Sequence, residues 1–265
     1  MAYETIIVEK KEGVCTITFN RPQVLNAFNP QMSDELKAAV KDIANDKAVR
    51  VVVLKGAGDR AFMAGADIDK TIFRWVEMTK KGGKVIDDHK VYFSPTMLEE
   101  LPQPVIAAIN GFAFGMGCEI ALGCDIRIAT ENAQFGQPEI KLGIMCGGGG
   151  SVRLTRIVGK TKAMEMCLTG DPIDAKEAYR IGLVNQVVPP AELDNAVNAM
   201  AKRLMSKGAI ALAYTKKSIQ ATMEMGVKAA IENEAHLFSD IFKTEDAEEG
   251  AKAFLEKRKP NFKGK

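Results

Sequence analysis

Two glutamates in this 265-residue chain stand where carboxylates are costly. Glu119 interrupts the apolar, glycine-studded run Gly111–Leu122 (GFAFGMGCEIAL), and Glu139 follows in Phe135–Gly143 (FGQPEIKLG), after the turn signal Gly136-Gln137-Pro138. An ionised carboxylate taken out of water must be paired, hydrogen-bonded or protonated, so each acid is either a satisfied structural group or a working one. The structural reading makes Glu119 an acid of a helix N-terminus and Glu139 the acceptor of a loop hydrogen bond. The chemical reading brings both to one cavity. There they share a water, one accepting its proton and the other giving a proton to a substrate. Like charges held that close also push one pKa upward.

Glycine loops beside the acids add a second chemical element. Ala61–Ile68 (AFMAGADI) is rich in small residues that leave backbone N–H groups open to a ligand, and Gly115-Met116-Gly117 offers the same at a predicted helix start. Two such donors make an oxyanion hole, worth roughly 3 kcal/mol per donor when aimed at developing charge. Nucleotide loops fail: a dinucleotide fingerprint from Gly115 needs glycine where Ile120 stands, and a Walker A loop from Gly143 finds Gly149-Gly150 in place of Lys and Ser or Thr. The two histidines, His89 and His236, fall in polar helical segments, so neither an imidazole triad nor a metal site is expected.

The composition narrows the class further. Thirty-six basic against 34 acidic residues give a formal charge of +2, which points away from nucleic acid and membrane surfaces. Cys15, Cys118, Cys124, Cys146 and Cys167 lack CxxC spacing and sit mostly in apolar surroundings, as buried reduced thiols of a cytoplasmic protein would. The N-terminus carries no signal-peptide pattern. The one stretch of spanning length, 104–124, contains Asn110, Glu119 and several glycines, so no membrane helix is expected.

The elements that must position these residues read as α/β with a helical tail. Thr5–Glu9 and Val14–Phe19 alternate like hairpin strands around Lys11-Glu12-Gly13. Asn29 and Pro30 then start a helix with the apolar stripe Met32, Leu36, Val40 and Ile43. Arg50–Lys55 and Pro104–Ile109 are buried-strand runs, Met116–Leu122 is helical, and Asp125–Ala129 is a strand, which together give a crossover unit. Helices are predicted over Ala163–Leu168, Asp174–Ile181, Glu192–Lys207, Ala209–Met225 and Glu245–Lys257, with one strand at Leu183–Val188. The natural division is a core of 1–190 and a helical region of 191–265.

Taken in order, Asn20-Arg21-Pro22 with Leu25-Asn26-Ala27, AFMAGADI, PVIAAINGFAFGMGCEIALGCDIRIA, FGQPEIKLGI, Leu168-Thr169-Gly170 and AFLEKRKPNFKGK resemble the enoyl-CoA hydratase/isomerase (crotonase) superfamily along nearly the whole chain. The resemblance implies a spiral of repeated ββα units with C-terminal helices used in trimerisation, as a homotrimer or a dimer of trimers. It implies an acyl-CoA thioester as substrate and no cofactor, coenzyme A being part of the substrate. Carried over by position, Ala66 and Met116 would supply the oxyanion N–H groups. Glu119 would deprotonate the attacking water, Glu139 would protonate the α-carbon, and Gly147 would help to position the second glutamate. Ala64, Gly65, Asp67 and Ile68 would line the CoA groove, and Phe254 and Lys257 would lie near the adenine and phosphates, from a neighbouring subunit. This chain has Met116 where many relatives have glycine, Met145-Cys146 where proline often stands, and a longer Asp69–Gln103 segment whose Phe73, Trp75, Tyr92 and Phe93 fit a helical lid or core packing. A 2-enoyl-CoA hydratase is favoured because both acids are present. A dienoyl- or cyclic-enoyl-CoA hydratase, an isomerase, and a non-catalytic acyl-CoA-binding subunit are the alternatives.

Overall fold

A computed structural model of the chain describes residues 3–89 and 92–265. It opens with the antiparallel hairpin of β1 (Ile6–Lys11) and β2 (Val14–Phe19), turned by Glu12 and Gly13 at φ of 49° and 82°. Helix α1 (Pro30–Asn45) starts as its sequence predicts: the Asn29 side chain accepts from the Met32 N–H at 2.8 Å, and Pro30 takes the first helical position. Next come β3 (Val51–Gly56) and β4 (Ala61–Met63), then a π-wound turn over Ile68–Phe73. Three short helices follow, α2 (Arg74–Lys80), α3 (Val85–His89) and α4 (Thr96–Glu99). The central stretch holds β5 (Val105–Ile109), β6 (Phe112–Phe114), α5 (Met116–Leu122), β7 (Ile126–Thr130) and β8 (Gln134–Gly136), ending in a 3-10 turn over Pro138–Leu142. Beyond it lie α6 (Gly150–Val158), α7 (Lys160–Thr169), β9 (Ile173–Asp174), α8 (Ala175–Arg180) and β10 (Gln186–Val188). Helices α9 (Leu193–Met205), α10 (Ala209–Ala221), α11 (Val227–Ile241) and α12 (Glu245–Leu255) close the chain.

Two sheets organise these strands, one in the order β1-β2-β3-β5-β7-β10 and a smaller one in the order β4-β6-β8-β9. Each pass of the chain adds one strand to the large sheet, bends, and adds a short strand to the small sheet: β3 then β4, β5 then β6, β7 then β8. Successive passes pair in parallel in both sheets, which is the spiral the family resemblance implies. Asn110-Gly111 makes the bend of the middle pass, and Asn110 Nδ2 donates to the carbonyls of Gly56 (3.1 Å) and Gly58 (2.7 Å), tying that corner to the one before. The large sheet is covered on both faces. Val52, Leu54, Val105, Ala107 and Ile109 face the main core with α1, while Val51, Val53, Ile106 and Ala108 pack against Val197 and Ala201 of α9. Burial on both faces explains why β3 and β5 read as unbroken apolar runs. Each such buried Val, Leu or Ile side chain stabilises the fold by roughly 1.5–3 kcal/mol.

The structure departs from the sequence reading in several places. The small sheet has no counterpart in it, because strands of two or three residues show no periodicity. Helix α10 stops at Ala221, short of Met225, and Gly226 precedes α11, an element absent from the sequence reading. Of Leu183–Val188 only Gln186–Val188 is strand, since the N–H groups of Leu183 and Val184 both turn back to the Ala178 carbonyl. Among the described residues of Asp69–Gln103 the chain forms a series of short helices, with Phe93 in the core, Phe73 exposed, and Trp75 and Tyr92 along a cavity. No helix of the described residues is long and apolar enough to cross a membrane.

Candidate active site

Glu119 lies one turn into α5, and that helix begins where it does because of Gly115. With φ 49° and ψ −122° this residue swings the chain from β6 into the helix, and a Cβ on it would stand 2.9 Å from Glu139 Oε1. Glycine thus brings a backbone alongside one acid while aiming the next helical turn at the other. Glu119 is 3 % exposed, and its Oε1 accepts from the N–H groups of Gly148 (2.7 Å) and Gly150 (2.8 Å). Those charge-assisted bonds compensate its burial.

Glu139 occupies the first turn of the Pro138–Leu142 segment. Burial pushes its carboxyl up to about 7; its own backbone N–H works against that rise, and the Glu119 charge adds to it. Gln137, almost fully buried, sets its side-chain amide against Glu139; with the nitrogen assigned to that side, it donates to both carboxyl oxygens at 3.1 and 3.2 Å.

Both acids open onto a cavity of about 460 Å³, together with Ala64, Gly65, Ala66, Ile68, Gly115, Met116 and Gly147. Among the described residues nothing accepts from the N–H of Ala66 or from that of Met116, the first residue of α5. Two unclaimed donors and two carboxylates therefore share one cavity. Part of its wall is aromatic: Tyr92 packs between Phe28 (ring centroids 6.2 Å apart) and Trp75 (5.4 Å).

Residues 9–265 match the profile of a family described as enoyl-CoA hydratase/isomerase. The chain belongs to the enoyl-CoA hydratase/isomerase family. It is 44% identical to a crotonyl-CoA hydratase of Syntrophomonas wolfei over 266 residues, covering 99% of each chain. It is also 44% identical to a short-chain-enoyl-CoA hydratase of Clostridium acetobutylicum, covering 98% of this chain and 97% of that one. A crystal structure of an enoyl-CoA hydratase from Bacillus anthracis superposes with a TM-score of 0.91 at 36% identity, over 99% of this chain and all of that one.

In this member of the family the motif residues divide into two groups. Ala64, Gly65, Ala66, Ile68, Met116, Glu119, Glu139 and Gly147 meet at the cavity. Asp67 does not line it; its carboxylate is turned to Arg21 and to the Lys70 N–H. Phe254 is exposed on α12, and Lys257, just beyond that helix, is exposed as well, so neither lines the cavity within this chain. The glycine support also differs from the expectation. Gly147 lines the cavity, while the bonding N–H groups belong to Gly148 and Gly150 and hold Glu119, because the loop closes over the deeper of the two acids. Burial first, then the charges of Glu139 and Glu119, push the Cys146 thiol up, which disfavours a thiolate there. Sequence reasoning missed Gln137 and Arg153. Gln137 is two residues from Glu139 in a turn, which was a usable signal; Arg153, in α6, gave none.

Proposed function

We propose that the protein adds water reversibly, with syn geometry, to a short 2-enoyl-CoA thioester, giving the 3-hydroxyacyl-CoA. One observation carries this reading: two carboxylates in unlike environments and two unclaimed backbone donors share a single cavity. The N–H groups of Ala66 and Met116 take the thioester oxygen, which makes the β-carbon electrophilic and holds the enolate-like charge that follows. Glu119 accepts a proton from the water as its oxygen bonds the β-carbon. Glu139, protonated, gives its proton to the α-carbon. The pair ends with its single proton on the other acid and is reset by exchange with water. No cofactor enters beyond the coenzyme A of the substrate. A short acyl group is supported by the Phe28, Tyr92 and Trp75 wall and by the names of the relatives, a crotonyl-CoA hydratase and a short-chain-enoyl-CoA hydratase. An isomerase moves a proton without capturing water, and a pair of acids serves hydration better.

The test is loss of conjugated-thioester absorbance with crotonyl-CoA and a panel of longer enoyl- and dienoyl-CoA esters. Glu119→Gln and Glu139→Gln should each lower kcat by about 10²–10⁴-fold with thioester affinity nearly intact. Full activity in either variant overturns the two-acid reading. We propose further that the chain works as a homotrimer or dimer of trimers, supported by exposed Ile231 and Phe238 on α11, Phe242 at its end, and Phe254 and Leu255 on α12. A neighbouring copy would then bring Phe254 and Lys257 to the coenzyme A. A cytoplasmic setting is supported by five unpaired cysteines.

A further inference from the structure

Residues 20–28, the NRP and LNA motifs, do not hold the reacting groups, yet they are laced to the segment that offers the Ala66 N–H. The Ala64 N–H donates to the Leu25 carbonyl (3.0 Å), the Phe28 N–H to the Gly65 carbonyl (2.8 Å), and the Asp67 N–H to the Phe28 carbonyl (2.7 Å). Phe28 and Ala66 thus form a parallel bridge that spends the neighbouring backbone groups and leaves the Ala66 N–H facing the other way, toward the cavity. This segment is strained, and it is anchored by a buried side chain. Leu25 and Asn26 both adopt left-handed backbone (φ 53° and 58°), and Asn26, fully buried, accepts from the Arg21 N–H (3.0 Å) while donating to the carbonyls of Ala57 (3.0 Å) and Ala61 (2.9 Å). Arg21 spans the two strands of this bridge. One guanidinium nitrogen donates to the Ala27 carbonyl at 2.5 Å and the other to Asp67 Oδ2 at 2.9 Å, with both side chains largely shielded (16% and 14% exposed).

We propose that Arg21 and Asp67 are positioning residues that set the aim of the Ala66 N–H, so that the ion pair behind the cavity fixes one of the two donors to the thioester oxygen. The proposal rests on the hydration reading above. It also gives Asp67 a different duty from contact with coenzyme A: its carboxylate is consumed by Arg21 and by the Lys70 N–H (3.1 Å), where it caps the Ile68–Phe73 turn. An oxyanion donor acts fully only when it sits at hydrogen-bond distance, about 2.7–3.1 Å, from the developing charge, so a slack bridge lowers turnover more than affinity.

Two variants separate the ion pair from other duties. Asp67→Asn keeps an acceptor for the Lys70 cap and removes the charge. Arg21→Lys keeps the charge, but its single ammonium cannot span Ala27 and Asp67 as the fork does. Each should lower kcat for crotonyl-CoA hydration by about 10–100-fold with KM changed less than threefold. In a Glu119→Gln background, which holds the thioester without turning it over, infrared difference spectra of carbonyl-labelled crotonyl-CoA should show the bound C=O stretch moving back toward its value in water when either variant is added. A purely structural role leaves that frequency where it is and lowers only the melting temperature. Wild-type kcat with an unmoved C=O stretch overturns the proposal, and so does a fall in melting temperature with the stretch unmoved. Should Asp67→Asn fail to fold, Arg21→Lys carries the same two readouts. Failure of the wild-type protein to hydrate any enoyl-CoA strikes the hydration reading instead, and the two failures are told apart by that control.

Discussion

Glu119 and Glu139 open onto the same cavity, yet the chain treats them in opposite ways. Glu119 rides on the helix α5, is the more buried of the two, and receives two backbone N–H groups on one oxygen. Glu139 sits on a short 3-10 turn, more open to solvent, with the Gln137 amide against it and its carboxyl raised to about 7 by burial first. Depth alone does not assign them roles. The supply of donors does: the deeper acid has its backbone partners built in, while the shallower one is left poised near neutrality. Under the hydration reading that contrast is the assignment of roles, a carboxylate ready to take a proton beside a carboxyl ready to give one.

The largest blow to this contrast short of removing an acid is Gly148→Ala. Gly148 lies outside the left-handed region, so alanine meets no backbone objection, but its Cβ would stand 2.5 Å from Glu119 Oε2. Either the carboxylate or the loop must shift, and with it the hydrogen bond at 2.7 Å. A displacement of that order should cut kcat for crotonyl-CoA hydration by about 100-fold while the protein stays folded. Steady-state rates beside a melting curve check it. Unchanged kcat would mean that the fixed placement of Glu119 is irrelevant to turnover.

The pH profile sharpens the other half of the comparison. The working form carries one proton shared by the pair, and because Glu139 is raised to about 7, that proton is lost as pH climbs through this value. Hydration kcat/KM should therefore hold below about 7 and fall above it. Hydration consumes water and no net proton, so the equilibrium is independent of pH and dehydration kcat/KM must fall through the same limb. Gln137→Met removes donors that favour the ionised carboxyl and should move the limb upward. Rates across about pH 5 to 9 provide the check, with the reverse direction as a control; a hydration kcat/KM that stays flat through about 7 would break the shared-proton picture.

Much of this was legible before any coordinates. Asn29-Pro30 marked the start of α1 and Met116–Leu122 the full extent of α5, because caps, proline and glycine act locally. The two acids announced themselves by being charged in apolar company. The small sheet stayed hidden because its strands, at three residues or fewer, owe their form to neighbours in the spiral. The same limit hid the duty of Asp67. Its partner Arg21 lies 46 residues away, and an ion pair of that separation leaves no trace in spacing.

Arg153 is the subtlest of these distant partners and the last lever on the comparison. Its guanidinium grips Glu99 through two bonds (2.7 and 2.8 Å), reaches Thr96 Oγ1 (2.8 Å), and donates to the Gly148 carbonyl at 3.0 Å. Gly148 is also the residue whose N–H holds Glu119, so Arg153, itself at the cavity wall, braces the loop that fixes the acid. Nothing comparable backs the Glu139 turn through this residue, which makes Arg153→Met selective for one side of the pair. It should lower kcat by about tenfold and leave the alkaline limb near 7 in place, since Glu139 is untouched. Arg153→Lys keeps the charge but loses the two-pronged grip on Glu99, and should recover part of the rate. A shift of the limb in Arg153→Met, with kcat otherwise unchanged, would place its influence on Glu139 and reverse the division between the two acids.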